Sequence, residues 1–281
     1  MSPRQHRLRY LLAGGFHTLA WTEWGPEDGA PVLCCHGLTR TGRDFDILAQ
    51  ALAERGLRVL CPDLPGRGAS DWLPEPMLYT PPSYVVALAH LLARLDKPVD
   101  WVGTSLGGIC GMMVAAGTGH PIRRLVLNDI GSRVPSSAAE RIAAYIRLPL
   151  AFPDIAALEA HLRQVHAPFG PLTDAQWRHL AETSQRRLPD GRLGLHYDPG
   201  LAAPFEASAT GPVDLSVVWS RVAVPTLLLR GAESDILDTE TAAEMAMRPG
   251  VQLVVLPGIG HAPALMEPAQ IEIVAGFLAA P

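Results

Sequence analysis

From residue 31 onward, short unbroken apolar runs alternate with amphipathic stretches, and no other feature restricts the fold as strongly. Val32 to Cys35 stops at His36-Gly37, Leu57 to Cys61 stops at Pro62, and Val99 to Gly103, Ile122 to Leu127, Val224 to Leu229 and 251–256 repeat the pattern. Runs this short and continuous suit strands buried on both faces. Between them Phe45, Leu48, Ala49 and Leu52 recur at helical spacing, as do Val85, Leu88, Ala89, Leu92 and Leu95. That is the stripe of a helix lying on a sheet. Residues 106–117 are helical in composition, and further helices are expected over 238–247 and from Pro268. The alternation predicts an α/β chain with a mostly parallel sheet covered by helices. Segments 6–12 and 15–24, joined at Gly14-Gly15, read as an antiparallel hairpin on the sheet's edge.

The rhythm lapses between 132 and 220, where no buried strand is evident. Two helical patterns lie near 154–166 and 173–187, separated by Pro168, Gly170 and Pro171, and a Pro/Gly-rich stretch follows at 189–212. A segment of that size inside a compact domain points to function. The expectation is a core made of 1–131 and 221–281, with 132–220 a helical cap over the sheet's C-terminal edge, where open α/β sheets place their ligands.

Composition narrows the class. With 48% apolar and 18% charged residues over 281 positions, the chain buries a large core and is not disordered. A net charge of −5 without a basic stripe argues against nucleic acid as a partner. No apolar run approaches the roughly 20 residues of a membrane span. Gly14, Gly15 and His17 interrupt the N-terminal apolar stretch, so it reads as mature protein rather than a signal peptide. Cys34, Cys35, Cys61 and Cys110 lie in apolar stretches without CxxC spacing. Buried thiols in a reducing compartment are expected, hence a cytoplasmic protein. No His/Cys/carboxylate cluster has zinc-site spacing, and no metal or organic cofactor is expected.

The chemistry centres on Gly103-Thr104-Ser105-Leu106-Gly107, which follows an apolar strand and opens a helix. A serine on so sharp a turn takes positive φ, and its flanking positions must be small because neighbouring chain comes close. The turn lifts the hydroxyl above the sheet beside backbone N–H groups and the positive end of a helix. A serine nucleophile needs a base, and the base an orienting acid. His261, in Gly258-Ile-Gly260-His261-Ala-Pro263, follows the strand 251–256; Asp235, in Gly-Ala-Glu-Ser-Asp, follows the strand 224–229. Both lie past strand C-termini, on the edge that carries Ser105. The assignment is Ser105 as nucleophile, His261 as general base and Asp235 as its acid.

With these residues in place the chain resembles the α/β-hydrolase superfamily over nearly its whole length. His36-Gly37 resembles the family's HG oxyanion loop, Asp63-Leu-Pro-Gly66-Arg-Gly68-Ala-Ser70 its DxxGxGxS segment, and residues 258–263 its histidine loop. The resemblance implies an α/β-hydrolase fold, a mostly parallel eight-stranded sheet flanked by helices, with a helical cap inserted after the sixth strand. It also implies an oxyanion hole from the backbone N–H groups of Leu38 and Leu106. Capped esterases, lactonases and C–C bond hydrolases are the most similar members. Haloalkane dehalogenases differ, since position 105 is Ser rather than Asp, and neither an HGGG loop nor a GPG after HG is present.

Other residues compete for roles. Asp129 also ends a strand, where some members of the superfamily place the acid; with Asp235 preferred for that role, Asp129 is read as capping a loop or pointing at the cap. Asp63 is read as structural, and Glu233 and Asp238 as solvated. Arg40 either meets a substrate carboxylate or pairs with Asp44. His161 and His166 are read as surface or core histidines, and Cys34 and Cys35 as strand residues rather than nucleophiles. Ile130, Phe152, Phe169, Trp177, His196, Tyr197, Phe205 and Trp219 are candidates to line a pocket, alongside Arg40. The expected protein is a serine hydrolase that cleaves a small or medium carboxylic ester through an acyl-enzyme. Its partner is a small acyl substrate, with no nucleic acid and no membrane. C–C cleavage of a vinylogous diketone, cofactor-independent perhydrolysis, and ligand reception by a retained triad are the alternatives.

Overall fold

The computed structural model describes residues 2–138, 141, 146, 150–204 and 212–280. Its strands, in chain order, are β1 (Arg4–Leu12), β2 (Gly15–Trp24), β3 (Pro31–Cys35), β4 (Arg58–Asp63), β5 (Val99–Thr104), β6 (Ile122–Asn128), β7 (Arg133–Val134), β8 (Gln185–Arg187), β9 (Leu193–Leu195), β10 (Val213–Asp214), β11 (Thr226–Gly231) and β12 (Val251–Leu256). Eight of them form one sheet in the order β1-β2-β4-β3-β5-β6-β11-β12. The β1–β2 and β2–β4 pairs are antiparallel, and the rest of the sheet is parallel. The hairpin turns where expected, with φ of 90° at Gly14 and 134° at Gly15, backbone that glycine adopts without a Cβ clash.

Both faces of β3, β4, β5, β6 and β11 are largely buried, which is why those strands read as continuous apolar runs; β12, expected to be buried likewise, is the sheet's edge strand and exposes Gln252 and Val255. Leu33, Leu60, Trp101, Leu125 and Leu127 face a core closed by α2 (Pro81–Leu92) and α3 (Leu106–Ala115). Their alternates Val32, Cys34, Val59, Val102, Val126 and Leu229 face a second core with α1 (Asp46–Glu54) and the C-terminal helix Pro268–Ala279. All four cysteines are buried and free. Thr80 precedes α2, whose first turn carries Pro81, so this helix starts earlier than its apolar stripe suggested.

The segment between β6 and β11 builds a smaller layer. Helices Ile155–Val165 and Asp174–Ser184 begin at side-chain caps from Asp154 and Thr173, the latter a full capping box with Gln176. They enclose Phe152, Leu158, Leu162, Trp177, Leu180 and Leu193 together with Met266 of the sheet domain. The second helix stops at Ser184 because Gln185 turns extended and pairs with Leu195. Gln176 Nε2 donates to Met266 O at 3.1 Å, and His179 Nε2 lies 3.1 Å from Arg43 O, tying this layer to the sheet domain. Among the described residues no helix is long and apolar enough to cross a membrane.

Candidate active site

The parallel strands end on one edge, and their first loop residues converge there. Ser105 follows β5 with φ 51°, ψ −115°, the strained state its motif required. Its neighbours explain the glycines. A Cβ at Gly107 would stand 1.9 Å from Cys35 O, and one at Gly103 would stand 2.4 Å from Gly107 O. Ser105 N donates to Asn128 O at 3.0 Å, which fastens the turn to the end of β6.

His261 places Nε2 3.1 Å from Ser105 Oγ and Nδ1 2.8 Å from Asp129 Oδ2. A buried carboxylate can only accept, so Nδ1 carries the proton and Nε2 offers its lone pair to the hydroxyl. Asp129 is fully buried. Its Oδ1 accepts from Gly231 N at 2.8 Å and its Oδ2 from Ser234 Oγ at 2.5 Å, so both oxygens are held. Asn128, one residue earlier, donates from Nδ2 to Thr104 Oγ1 at 2.9 Å and to Pro263 O at 2.8 Å. This fastens the histidine loop to the serine strand.

Asp235, expected to meet His261, does not; the carboxylate that meets the imidazole is Asp129. After β11 the turn closed by Ser234 N on Gly231 O points the Ser234 hydroxyl inward. There it also accepts from Ile236 N and Leu237 N. The next side chain, Asp235, points outward, is 52% exposed, and binds Arg141 at 2.8 Å. Asp129 reaches the imidazole because β6 lies between β5 and β11, and because its own φ of 56° swings the carboxylate over the end of β11. The signal available in the sequence was a second Asp at a strand end, one strand nearer to Ser105.

The loop after β3 is braced from below. Leu64 N donates to His36 Nε2 at 2.9 Å, so the ring proton is on Nδ1 and faces Gly37 O at 2.6 Å. Burial first, then the charges of Arg67 and Arg40, lowers the His36 pKa to about 3. The fully buried Arg67 donates from Nε to Leu38 O at 2.8 Å and from Nη1 to Pro65 O at 2.7 Å, and it stacks over Tyr84 at 4.7 Å. With its carbonyl held by Arg67, Leu38 lines the same cleft as Ser105, and Leu106 opens α3, where the first N–H groups have no helical acceptor. Asp63 is structural as expected, accepting from Gly42 N at 2.8 Å and Ala69 N at 2.9 Å. Arg67 was missed, although an arginine between two glycines in a tight turn was visible.

His36 has a consequence for stability. Its folded pKa lies below the unfolded value of 6.5, so its contribution is complete above 6.5 and is lost as pH falls towards about 3. Across that window it should cost up to about 1.4 kcal/mol per pH unit. Asp63, raised by burial to about 6, acts in the opposite direction below that pH. Urea unfolding of His36→Gln against the parent isolates the histidine: the variant's stability should fall less steeply on acidification. Equal slopes would mean that His36 is not held neutral.

Above these residues lies a cleft of about 500 Å³ lined by Leu38, Thr39, Arg40, Ser105, His261, Val165, His166, Pro168, Phe169, Glu233, Arg141 and Asp235. Of the pocket candidates, Arg40 and Phe169 line it. Arg40 also makes the ion pair with Asp44, Nε to Oδ2 at 2.7 Å and Nη2 to Oδ1 at 2.8 Å. The others pack elsewhere. Ile130 is buried beneath Gly108, and Trp177 and Phe152 fill the core of the inserted layer. His196 lines a separate groove near Gly68, Tyr197 is buried and bridges to Arg67, and Trp219 stacks under Arg248 at 4.7 Å. None of these residues lines the cleft that holds Ser105. Phe205 lies outside the described residues. His166 was read as surface or core, yet it faces the cleft. Glu233, exposed as expected, stands at the rim, and Asp238 caps a helix at Thr241 N. Among the described residues no cluster could hold a metal ion.

Residues 32–273 match the model of the alpha/beta hydrolase family. The chain is 44% identical to a 3-hydroxybutyrate-oligomer hydrolase of Cupriavidus necator, over 98% of both chains. It is 29% identical to an esterase of Mycobacterium tuberculosis over 95% of this chain and 88% of that one. Among solved structures, an alpha/beta hydrolase of Novosphingobium aromaticivorans superposes with a TM-score of 0.87 at 38% identity, covering 98% of each chain.

Proposed function

The chain belongs to the alpha/beta hydrolase family, and from that premise we propose that it is a serine ester hydrolase acting on short oligomers of a hydroxyalkanoic acid. The observation that carries the reading is the hydrogen-bond chain from buried Asp129 through His261 to Ser105, the last two of which line the cleft. His261 takes the Ser105 proton as Oγ attacks the ester carbonyl, then returns it to the leaving alkoxide. Asp129 keeps the ring in the Nδ1–H tautomer and stabilises the imidazolium. The N–H groups of Leu38 and Leu106 receive the oxyanion, each such donor being worth about 10²–10³ in rate. Water, activated by the same histidine, then releases the acid. The inserted segment 132–220 serves as the cap over this cleft.

The name of the Cupriavidus relative supports the oligomer substrate, and a cleft of about 500 Å³ suits a chain of a few units better than a polymer surface. A carboxylate-binding arginine facing the cleft would favour the C–C hydrolase alternative, but the two arginines that line it hold carboxylates of the protein itself, Arg40 that of Asp44 and Arg141 that of Asp235. The test is release of free acid from the dimer and trimer of 3-hydroxybutyrate, with p-nitrophenyl butyrate as reference ester. Oligomer cleavage at least as efficient as that of the reference is expected. Turnover of the reference with inert oligomers would restrict the protein to simple esters.

A further inference from the structure

Besides His261, the cleft contains a second imidazole that the reaction scheme does not use. His166 follows the helix Ile155–Val165, and its Nε2 lies 3.5 Å from Arg40 Nη1. A guanidinium offers only donors, so Nε2 accepts and the single ring proton resides on Nδ1. Burial first, then the charge of Arg40, keeps His166 well below the usual histidine range, so the ring is neutral. Nδ1 has no acceptor among the described residues. The ring is also held in place. It stacks on Phe169 at 4.5 Å, Asp44 grips Arg40 bidentately, and Gly260 N donates to Pro168 O at 2.8 Å, one residue before the base. A fixed ring whose N–H has no partner among the described residues therefore lines the cleft, in a segment bonded to the catalytic histidine's own loop.

We propose that His166 is a specificity-determining residue whose Nδ1–H binds a carbonyl or carboxylate oxygen one repeat away from the scissile ester. A simple aliphatic ester has no oxygen there, whereas a hydroxyacid oligomer carries one in every repeat. The inference rests on the oligomer reading above. A site with a fixed donor that a bound substrate would shut off from water discriminates against substrates that leave it unpaired.

The test measures kcat/KM for the 3-hydroxybutyrate trimer relative to p-nitrophenyl acetate in the parent protein, His166→Phe and His166→Gln. Phe keeps a ring against Phe169 but removes the donor; Gln restores an N–H. The ratio should fall about tenfold in His166→Phe, mainly through KM for the trimer, and largely recover in His166→Gln. An unchanged ratio in the Phe variant, or an equal fall in both variants, would overturn the proposal. If the parent ignores the trimer but hydrolyses p-nitrophenyl acetate through Ser105, the substrate reading itself fails and takes this inference with it. An active parent with an unmoved ratio rejects His166 alone. Thermal melts of both variants separate loss of fold from loss of recognition.

Discussion

Ser105→Ala should lower kcat on p-nitrophenyl butyrate by about 10⁴–10⁶ while the melting temperature stays level or rises. The size follows from the geometry. Ser105 Oγ is 3.1 Å from His261 Nε2, and the other groups on that hydrogen-bond chain only prepare this oxygen. Alanine removes the nucleophile, and the N–H groups beside it are left to supply whatever rate remains over water. Stability should not suffer, because the strain lies in the φ of 51°, which a smaller side chain tolerates at least as well. The measurement is steady-state hydrolysis across a p-nitrophenyl series with a parallel melt. Turnover that survives in the alanine variant would place the nucleophile elsewhere. A collapse in melting temperature would make the loss one of folding.

The second large effect separates the two carboxylates. Asp129→Asn should lower kcat by about 10⁴, the scale seen when the orienting acid of such a chain becomes an amide. The amide would present either an N–H to an N–H or an oxygen with no charge, so the tautomer and the imidazolium both lose their support. The amide keeps only one acceptor oxygen where the carboxylate uses two, for Gly231 N and for Ser234 Oγ, so a fall in stability should accompany the loss of one of them. Asp235→Asn removes one member of a half-exposed ion pair with Arg141 and should cost only a few-fold in kcat, since such pairs contribute little. Both variants are compared with the parent for kcat and for urea midpoint. The reverse ranking would restore Asp235 as the acid and overturn the reading of the site built on Asp129.

The two carboxylates also show where sequence reasoning stops. Strand runs, amphipathic helices and the edge hairpin were all legible, because burial on one or two faces writes itself into apolar spacing along a single strand or helix. So was Ser105, since its turn demands glycine at 103 and 107 at once, and a local steric demand leaves a local trace. His261 was legible by its place after the last strand. The choice between Asp129 and Asp235 was not, because each ends a strand and both strands end on the same edge. What separates them is sheet order, with β6 between β5 and β11, and a one-residue difference in which side chain of the Ser234-Asp235 pair turns inward. Composition cannot carry that difference.

The pocket was the least legible part. Trp177, Tyr197 and Trp219 are aromatic because a thin inserted layer and its seams need large side chains to exclude water. The cleft itself is lined by loop residues such as His166 and Pro168 that show no periodicity. The sequence by itself determined the α/β layering, the strained serine turn and the histidine loop, since each follows from contacts within a few residues or from one face of one element. Only the tertiary structure decided which acid meets the histidine and which side chains face the cleft. Those outcomes depend on the packing of segments far apart in the chain, and on backbone turns whose handedness no single residue declares.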